Sequence, residues 1–109
     1  MKTGVELIAE ERQRQIEKEG YTKYHDVIHN DVDTLATAAA CYALPFYKRE
    51  TNKGGIPKHW PFDEEFWKPE NKYPAQGFTD RIRELQKAGA LIAAEIDKLQ
   101  AGGDSFISS

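Results

Sequence analysis

The stretch Thr79-Asp80-Arg81-Ile82-Arg83-Glu84-Leu85-Gln86-Lys87-Ala88-Gly89-Ala90-Leu91-Ile92-Ala93-Ala94-Glu95-Ile96-Asp97-Lys98-Leu99 decides the fold class. Ile82, Leu85, Gly89, Ile92, Ile96 and Leu99 recur in alternating steps of three and four residues, a heptad-like helical seam. Thr79 or Asp80 is expected to cap this helix, and Gly102-Gly103 to stop it. Such a helix is about 30 Å long. Gly89 costs up to ~1 kcal/mol in a helix interior, which implies that another backbone crosses closely there. A second stripe, Glu84, Lys87, Leu91, Glu95 and Lys98, lies to one side of the seam.

Two shorter helices are predicted upstream. The first runs from near Thr3 to Gly20. Thr3 and Glu6 have the spacing of a capping box, and Gly20 suits a left-handed stop. Val5, Ile8, Ala9 and Ile16 mark its apolar face, which also carries Arg12 and Gln15. Polar groups on an inward stripe need partners or a ligand. One reading pairs Arg12 with a carboxylate of another helix, and the other gives it to a ligand. The second helix runs from Asp31 or Asp33, either able to cap it, to Leu44, where Pro45 ends it. Its run Leu35-Ala36-Thr37-Ala38-Ala39-Ala40-Cys41-Tyr42-Ala43 is small on every side, which allows close approach by neighbours.

The connection before the long helix is different in kind. Residues 56–78 hold both tryptophans, four of the five prolines, and Phe62, Phe66, Tyr73 and Phe78. Proline removes a backbone donor and turns its predecessor away from helical dihedrals, so no regular helix or central strand fits. Disordered segments are poor in aromatics. An ordered aromatic loop over 46–78 is therefore expected, as a ligand surface or a subunit contact. The fold class is all-α: one helical domain over residues 1–103 that assembles into an oligomeric bundle, with a flexible tail over 104–109. Three helices with small-residue flanks make a thin monomer, and homo-oligomerisation supplies the missing burial.

Composition narrows the functions. Apolar residues make up 39 % of the chain and charged residues 30 %, which is polar for a globular domain. The net charge of −3 with mixed signs offers no basic field for duplex nucleic acid. No apolar run reaches the ~20 residues needed to cross a bilayer. The acidic residues near the N-terminus do not suit a signal peptide, so the expected location is the cytoplasm. Cys41 is expected to be a small core side chain.

Catalytic chemistry has few candidates. His25 and His29, with Asp26 and Asp33 nearby, read as polar residues of a capped connection; a metal site would want a fuller ligand set. His59, beside Trp60, reads as a loop contact. Glu84 and Glu95 share a stripe but stand roughly 16 Å apart by helix rise, too far to share one ion. Gly54-Gly55 lacks the context and the lysine of a phosphate loop. Recognition chemistry is better supplied. Trp60, Trp67 and Tyr21 offer faces on which a base can stack. Arg12 and Lys68 suit phosphate, and Gln15, His25 and Asp26 can fix polar edges.

The chain also resembles a family of small phage and prophage proteins. The resemblance rests on Glu11-Arg12-Gln13-Arg14-Gln15, Glu19-Gly20-Tyr21-Thr22 and His25-Asp26, then Ala38-Ala39-Ala40-Cys41-Tyr42, Trp60-Pro61, Phe66-Trp67-Lys68-Pro69 and Lys87-Ala88-Gly89-Ala90-Leu91-Ile92. Members are loosely described as MazG-like, similar to all-α nucleoside triphosphate pyrophosphohydrolases. Those enzymes hold magnesium with Glu-Glu-x-x-Glu on one helix and Glu-x-x-Asp on the next. Here Glu10-Glu11 is followed by Arg14 in place of the third glutamate, and Glu95-Ile96-Asp97 has a different spacing. The resemblance thus implies a phage-type helical protein in the bacterial cytoplasm that binds a nucleotide or nucleotide-derived ligand without hydrolysing it, in the manner of a sink for a nucleotide immune signal. The alternative is a magnesium-dependent pyrophosphohydrolase drawing on Glu11, Asp80, Glu84 or Glu95, and a further one is a protein-interaction module.

Overall fold

The computed structural model describes residues 1–18, 33–70 and 78–107. Among these residues the chain is helical and has no strand. Its helices are α1 (Gly4–Lys18), α2 (Thr34–Ala43) and α3 (Thr79–Ile107), with single 3-10 turns at Phe46–Lys48 and Glu64–Phe66 between α2 and α3. The all-α class stands. Gly20, Tyr21, His25, Asp26, His29 and Tyr73 lie outside the described residues.

The start of α1 follows its sequence signal. The Thr3 amide donates to Glu6 Oε1 at 2.9 Å, and the Glu6 amide donates to Thr3 Oγ1 at 3.2 Å. These two bonds satisfy reciprocal orphan groups, and the bonds from Thr3 hold the Glu6 carboxyl below its ordinary range. The buried face of α1 is not the expected one. Val5 and Ile16 are exposed, as is Ala9, whereas Glu11 is buried. The helix is turned by about one residue, ~100°, from the face its apolar residues suggest. Two contacts with α3 fix that rotation: Ile8 sits on Gly89, and Glu11 accepts from Arg83 at 2.6 Å.

Helix α2 packs along α3, with Ala38 and Ala39 against Ala88, Leu91 and Ala94. Alanine on both surfaces lets the axes approach closely. The pair is antiparallel, because α3 reaches the N-terminus of α2 with Glu95 and its C-terminus with Arg81 and Glu84. Asp33 occupies the N-cap position with φ 64°, but its side chain makes no capping bond. The acceptor comes from α3 instead, where Glu95 Oε1 takes the Ala36 amide at 3.0 Å. At the other end, Arg81 donates to the carbonyls of Tyr42 and Ala43, and Arg49 donates to those of Cys41 and Tyr42. Two guanidinium groups thus satisfy the orphan carbonyls at the negative end of the helix dipole.

In α3 the two stripes exchange their expected roles. Glu84, Lys87, Leu91 and Glu95 of the polar stripe are buried, while Ile82, Leu85, Ile92, Ile96 and Leu99 of the seam are 45–51 % exposed. Gly89 meets the side chain of Ile8, not another backbone: a Cβ placed there would lie 2.5 Å from Ile8 Cδ1. The helix also passes through Gly102-Gly103 and continues to Ile107. Each glycine costs about 1 kcal/mol in a helix, a penalty that does not forbid continuation.

Tyr42 organises the connection. Its ring centroid lies 4.7 Å from that of Trp67 and 5.6 Å from that of Trp60, and its hydroxyl accepts the Lys68 amide at 3.0 Å. Trp60, Phe62 and Trp67 pack as partly buried residues on the α2–α3 core. Within the same connection, Asn52 Oδ1 accepts the amides of Gly54 and Ile56, which closes a tight turn at Gly55 with φ 81°.

Two stability outcomes follow from these contacts. Glu95→Ala should cost about 1 kcal/mol in urea denaturation by orphaning a part-buried amide, whereas Asp33→Gly should be near neutral. For Gly89→Ala, the gain in helix propensity of about 1 kcal/mol should appear only together with Ile8→Ala. A thermodynamic cycle over the two sites checks this, and additive effects would contradict the contact.

Candidate functional site

A cleft opens between α1, the core pair and the aromatic connection. It is lined by Glu11, Arg14 and Gln15 from α1, Lys87 and Leu91 from α3, Tyr42 from α2, and Trp60, Phe62, Phe66 and Lys68 from the connection. The volume open to the centre of a water molecule is about 40 Å³, and about 490 Å³ is reached only by counting solvent at the open mouth.

One edge of the cleft is an ionic web. The Glu11 side chain is only 1 % exposed. It accepts two bonds from Arg14, at 2.8 and 2.7 Å, one from Arg83 at 2.6 Å, and a longer one from Gln15 at 3.4 Å. Burial pushes the Glu11 carboxyl upward, but the bonds and charges of Arg14 and Arg83 together outweigh it and hold the group below its ordinary range. Lys87 Nζ donates to the Lys68 carbonyl at 2.6 Å, pairs with Glu70 at 2.8 Å, and lies 5.5 Å from the Tyr42 ring centroid. The hydrogen bond from Lys87 is the main reason that the Glu70 carboxyl is also held low.

Much of the remaining lining is aromatic. The Trp60 centroid lies 5.0 Å from that of Trp67 and 5.5 Å from that of Phe62, with the rings edge to face. The Trp60 indole N–H donates to the Asp63 carbonyl at 3.0 Å, which fixes the ring. Trp67 does not line the cleft. It packs behind Tyr42, with the Arg49 guanidinium 5.1 Å from its ring centroid.

The residues read from sequence are therefore divided. Gln15, Trp60 and Lys68 come together in the cleft. Arg12 turns to α3 and pairs with Asp97 at 3.3 Å, the carboxylate partner of its simpler reading. Tyr21, His25 and Asp26 fall outside the described residues. Of the four carboxylates considered for catalysis, Asp80 stands in the first turn of α3 and is not part of the cleft lining, while Glu11 lines the cleft with its charge taken up by arginines. Glu84 pairs with Arg49 and Arg81, and Glu95 with Lys98 and the Ala36 amide. Glu11, Glu84 and Glu95 are each committed to cations or an amide of the fold, and they do not converge into a magnesium ligand set. No group of three or more His, Cys, Asp or Glu side chains suited to a metal occurs among the described residues. Cys41 is buried, and burial pushes its thiol pKa up, against the activation a nucleophile requires.

Arg14, Lys87, Tyr42, Phe62 and Phe66 complete the cleft without having been singled out as ligand residues. Lys87 belongs to the polar stripe of α3, and Arg14 stands one turn beyond Glu11, so both had a sequence signal. Their convergence had none. No family model, curated protein or solved structure matches the chain.

The Glu11 web carries a pH dependence. A carboxyl held lower in the folded state stabilises the fold fully above its unfolded value, near 4.5, and loses that contribution as pH falls through the folded value. Glu11→Gln should cost about 2 kcal/mol at neutral pH, because the buried side chain loses its charge-assisted bonds to the partly exposed Arg14 and Arg83. The variant should also lose less stability than the wild type on acidification below about pH 4.5. Denaturation midpoints followed across that range would show it.

Proposed function

We propose that the protein binds a small nucleotide or nucleotide-derived ligand in this cleft without hydrolysing it. The observation that carries the reading is the pairing of a cationic edge with an aromatic wall. Arg14, Lys68 and Lys87 stand on the same cleft as Trp60, Phe62 and Phe66. Arginine offers a planar fork to phosphate, lysine adds a point charge, and the rings offer flat apolar faces worth ~1–3 kcal/mol per stacked base. Arg14 is 35 % exposed, so it can reach a ligand while Arg83 continues to hold Glu11. Gln15 supplies a polar edge. Arg14 thereby takes the phosphate role that the sequence alone assigns to Arg12.

Binding without turnover is supported by the state of the carboxylates. Glu11 is kept ionised and enclosed by arginines, which makes it a poor general base, and Glu84 and Glu95 are engaged at the ends of α2. A phage-type protein of this kind, acting as a homo-oligomer in the bacterial cytoplasm, would sequester a nucleotide signal by mass action.

Calorimetric titration with a panel of linear and cyclic nucleotides tests the reading. At least one should bind and, at ~100-fold above its Kd, stabilise the fold by ~2.7 kcal/mol. Arg14→Ala should weaken that binding by about tenfold, ~1.4 kcal/mol. Pyrophosphate release in magnesium that disappears in Glu11→Gln would overturn the non-hydrolytic reading. Absence of binding by every nucleotide would favour a protein partner.

A further inference from the structure

Lys87 lines the cleft, and its ammonium group already meets three partners. The Lys68 carbonyl lies 2.6 Å away, Glu70 Oε1 lies 2.8 Å away, and the Tyr42 ring centroid lies 5.5 Å away. Two of these partners are fixed. The Lys68 peptide is held by the Tyr42 hydroxyl, and the Tyr42 ring is buried in the α2–α3 core. Glu70 differs, because its side chain is 37 % exposed against 10 % for Lys87. The same carboxylate oxygen stands 3.9 Å from Arg83 Nε, while Arg83 Nη1 holds Glu11. We propose that the Glu70 carboxylate keeps the place of a ligand's anionic group: it holds Lys87 in the chain alone and swings aside into solvent when a phosphate enters the cleft.

A phosphate cannot simply add to Lys87, since an ammonium with three partners has no proton left for a fourth. One partner must leave, and Glu70 is the one that can. It is not part of the cleft lining, so its departure rearranges no wall. The exchange also conserves charge at the nitrogen, where one anionic oxygen replaces another and the half-buried cation stays paired. Arg14, Glu11, Arg83, Glu70 and Lys87 form an alternating row of three cations and two carboxylates, a surplus of one positive charge. With Glu70 in solvent, three cations face one carboxylate, and the surplus of two matches a terminal phosphate dianion. The hydrogen bond from Lys87 is the main reason that Glu70 stays ionised at neutral pH, so the contest is between two anions. Glu70 thereby makes the site selective. A neutral nucleoside leaves Lys87 with Glu70, and a phosphorylated one takes Lys87 over.

The assignment rests on the anion-binding half of the proposed function, and inorganic phosphate tests it without a base. In phosphate titrations of the full chain followed by NMR at constant ionic strength, Glu70→Gln should bind about fivefold more tightly than the wild type. Glu50→Gln, an equal change of net charge at an exposed residue outside the cleft lining, should leave the affinity unchanged. Adding Lys87→Met to Glu70→Gln should abolish the gain. Should that double variant fail to fold, the Glu70 carboxyl carbon signal of the wild type gives the readout, and it should move toward its solvent-exposed position as phosphate is added. Equal affinity in the wild type and Glu70→Gln overturns the proposal, as does an equal gain in Glu50→Gln or phosphate binding by neither protein. A nucleotide that binds while Glu70→Gln changes nothing sinks the exchange alone. Tighter phosphate binding by Glu70→Gln with no nucleotide bound keeps the exchange and sinks the nucleotide reading.

Discussion

The structure depends on one helix closing both ends of another. Helix α2 is short, rich in alanine, and lacks a side-chain cap of its own at Asp33. A ten-residue helix of this kind is marginal in water, because its unpaired terminal groups are a large share of its backbone. Helix α3 provides Glu95 for the amide end and Arg81 for the carbonyl end, and Arg49 joins the latter from the following segment. Acid at the N-terminus and base at the C-terminus is also the arrangement that the helix dipole favours. The position of α2 is thus fixed by directional bonds at its ends, and alanine contacts fill the space between.

The same arrangement explains why polar residues of α3 are buried while its isoleucines face outward. Glu84, Lys87 and Glu95 enter the interior with partners already in place, so desolvation is offset by charge-assisted bonds. Those bonds also constrain the connection. Arg49 lies over Trp67, and Lys87 lies near Tyr42 and holds the Lys68 carbonyl. Tyr42, Trp60 and Trp67 then form one aromatic cluster against the core, and the cleft forms where that cluster faces the Glu11 web. Cleft and scaffold share residues, so any group entering the cleft would act on the side chains that hold α1 to α3.

Much of the local structure was legible in the chain. The capping box at Thr3 and Glu6, the end of α2 before Pro45 and the long helix from Thr79 all rest on short-range chemistry. The faces of α1 and α3 were less legible, because hydrophobic periodicity assumes that apolar residues go inward. Here the chain buries ion pairs, and the apolar seam is left for the outside of the monomer. Gln15, Trp60 and Lys68 had visible recognition chemistry and do meet in the cleft. Arg12 and Arg14 could not be told apart by sequence, since the choice depends on which way α1 is rolled on α3.

The sequence by itself determined the helical class and the two helix starts, because propensity and capping act within a few residues. Tertiary structure decided which stripe of α3 became core, which arginine joined the cleft and what capped α2. Those outcomes depend on bonds between residues tens of positions apart, such as Glu95 to Ala36 and Arg83 to Glu11, which no local pattern encodes.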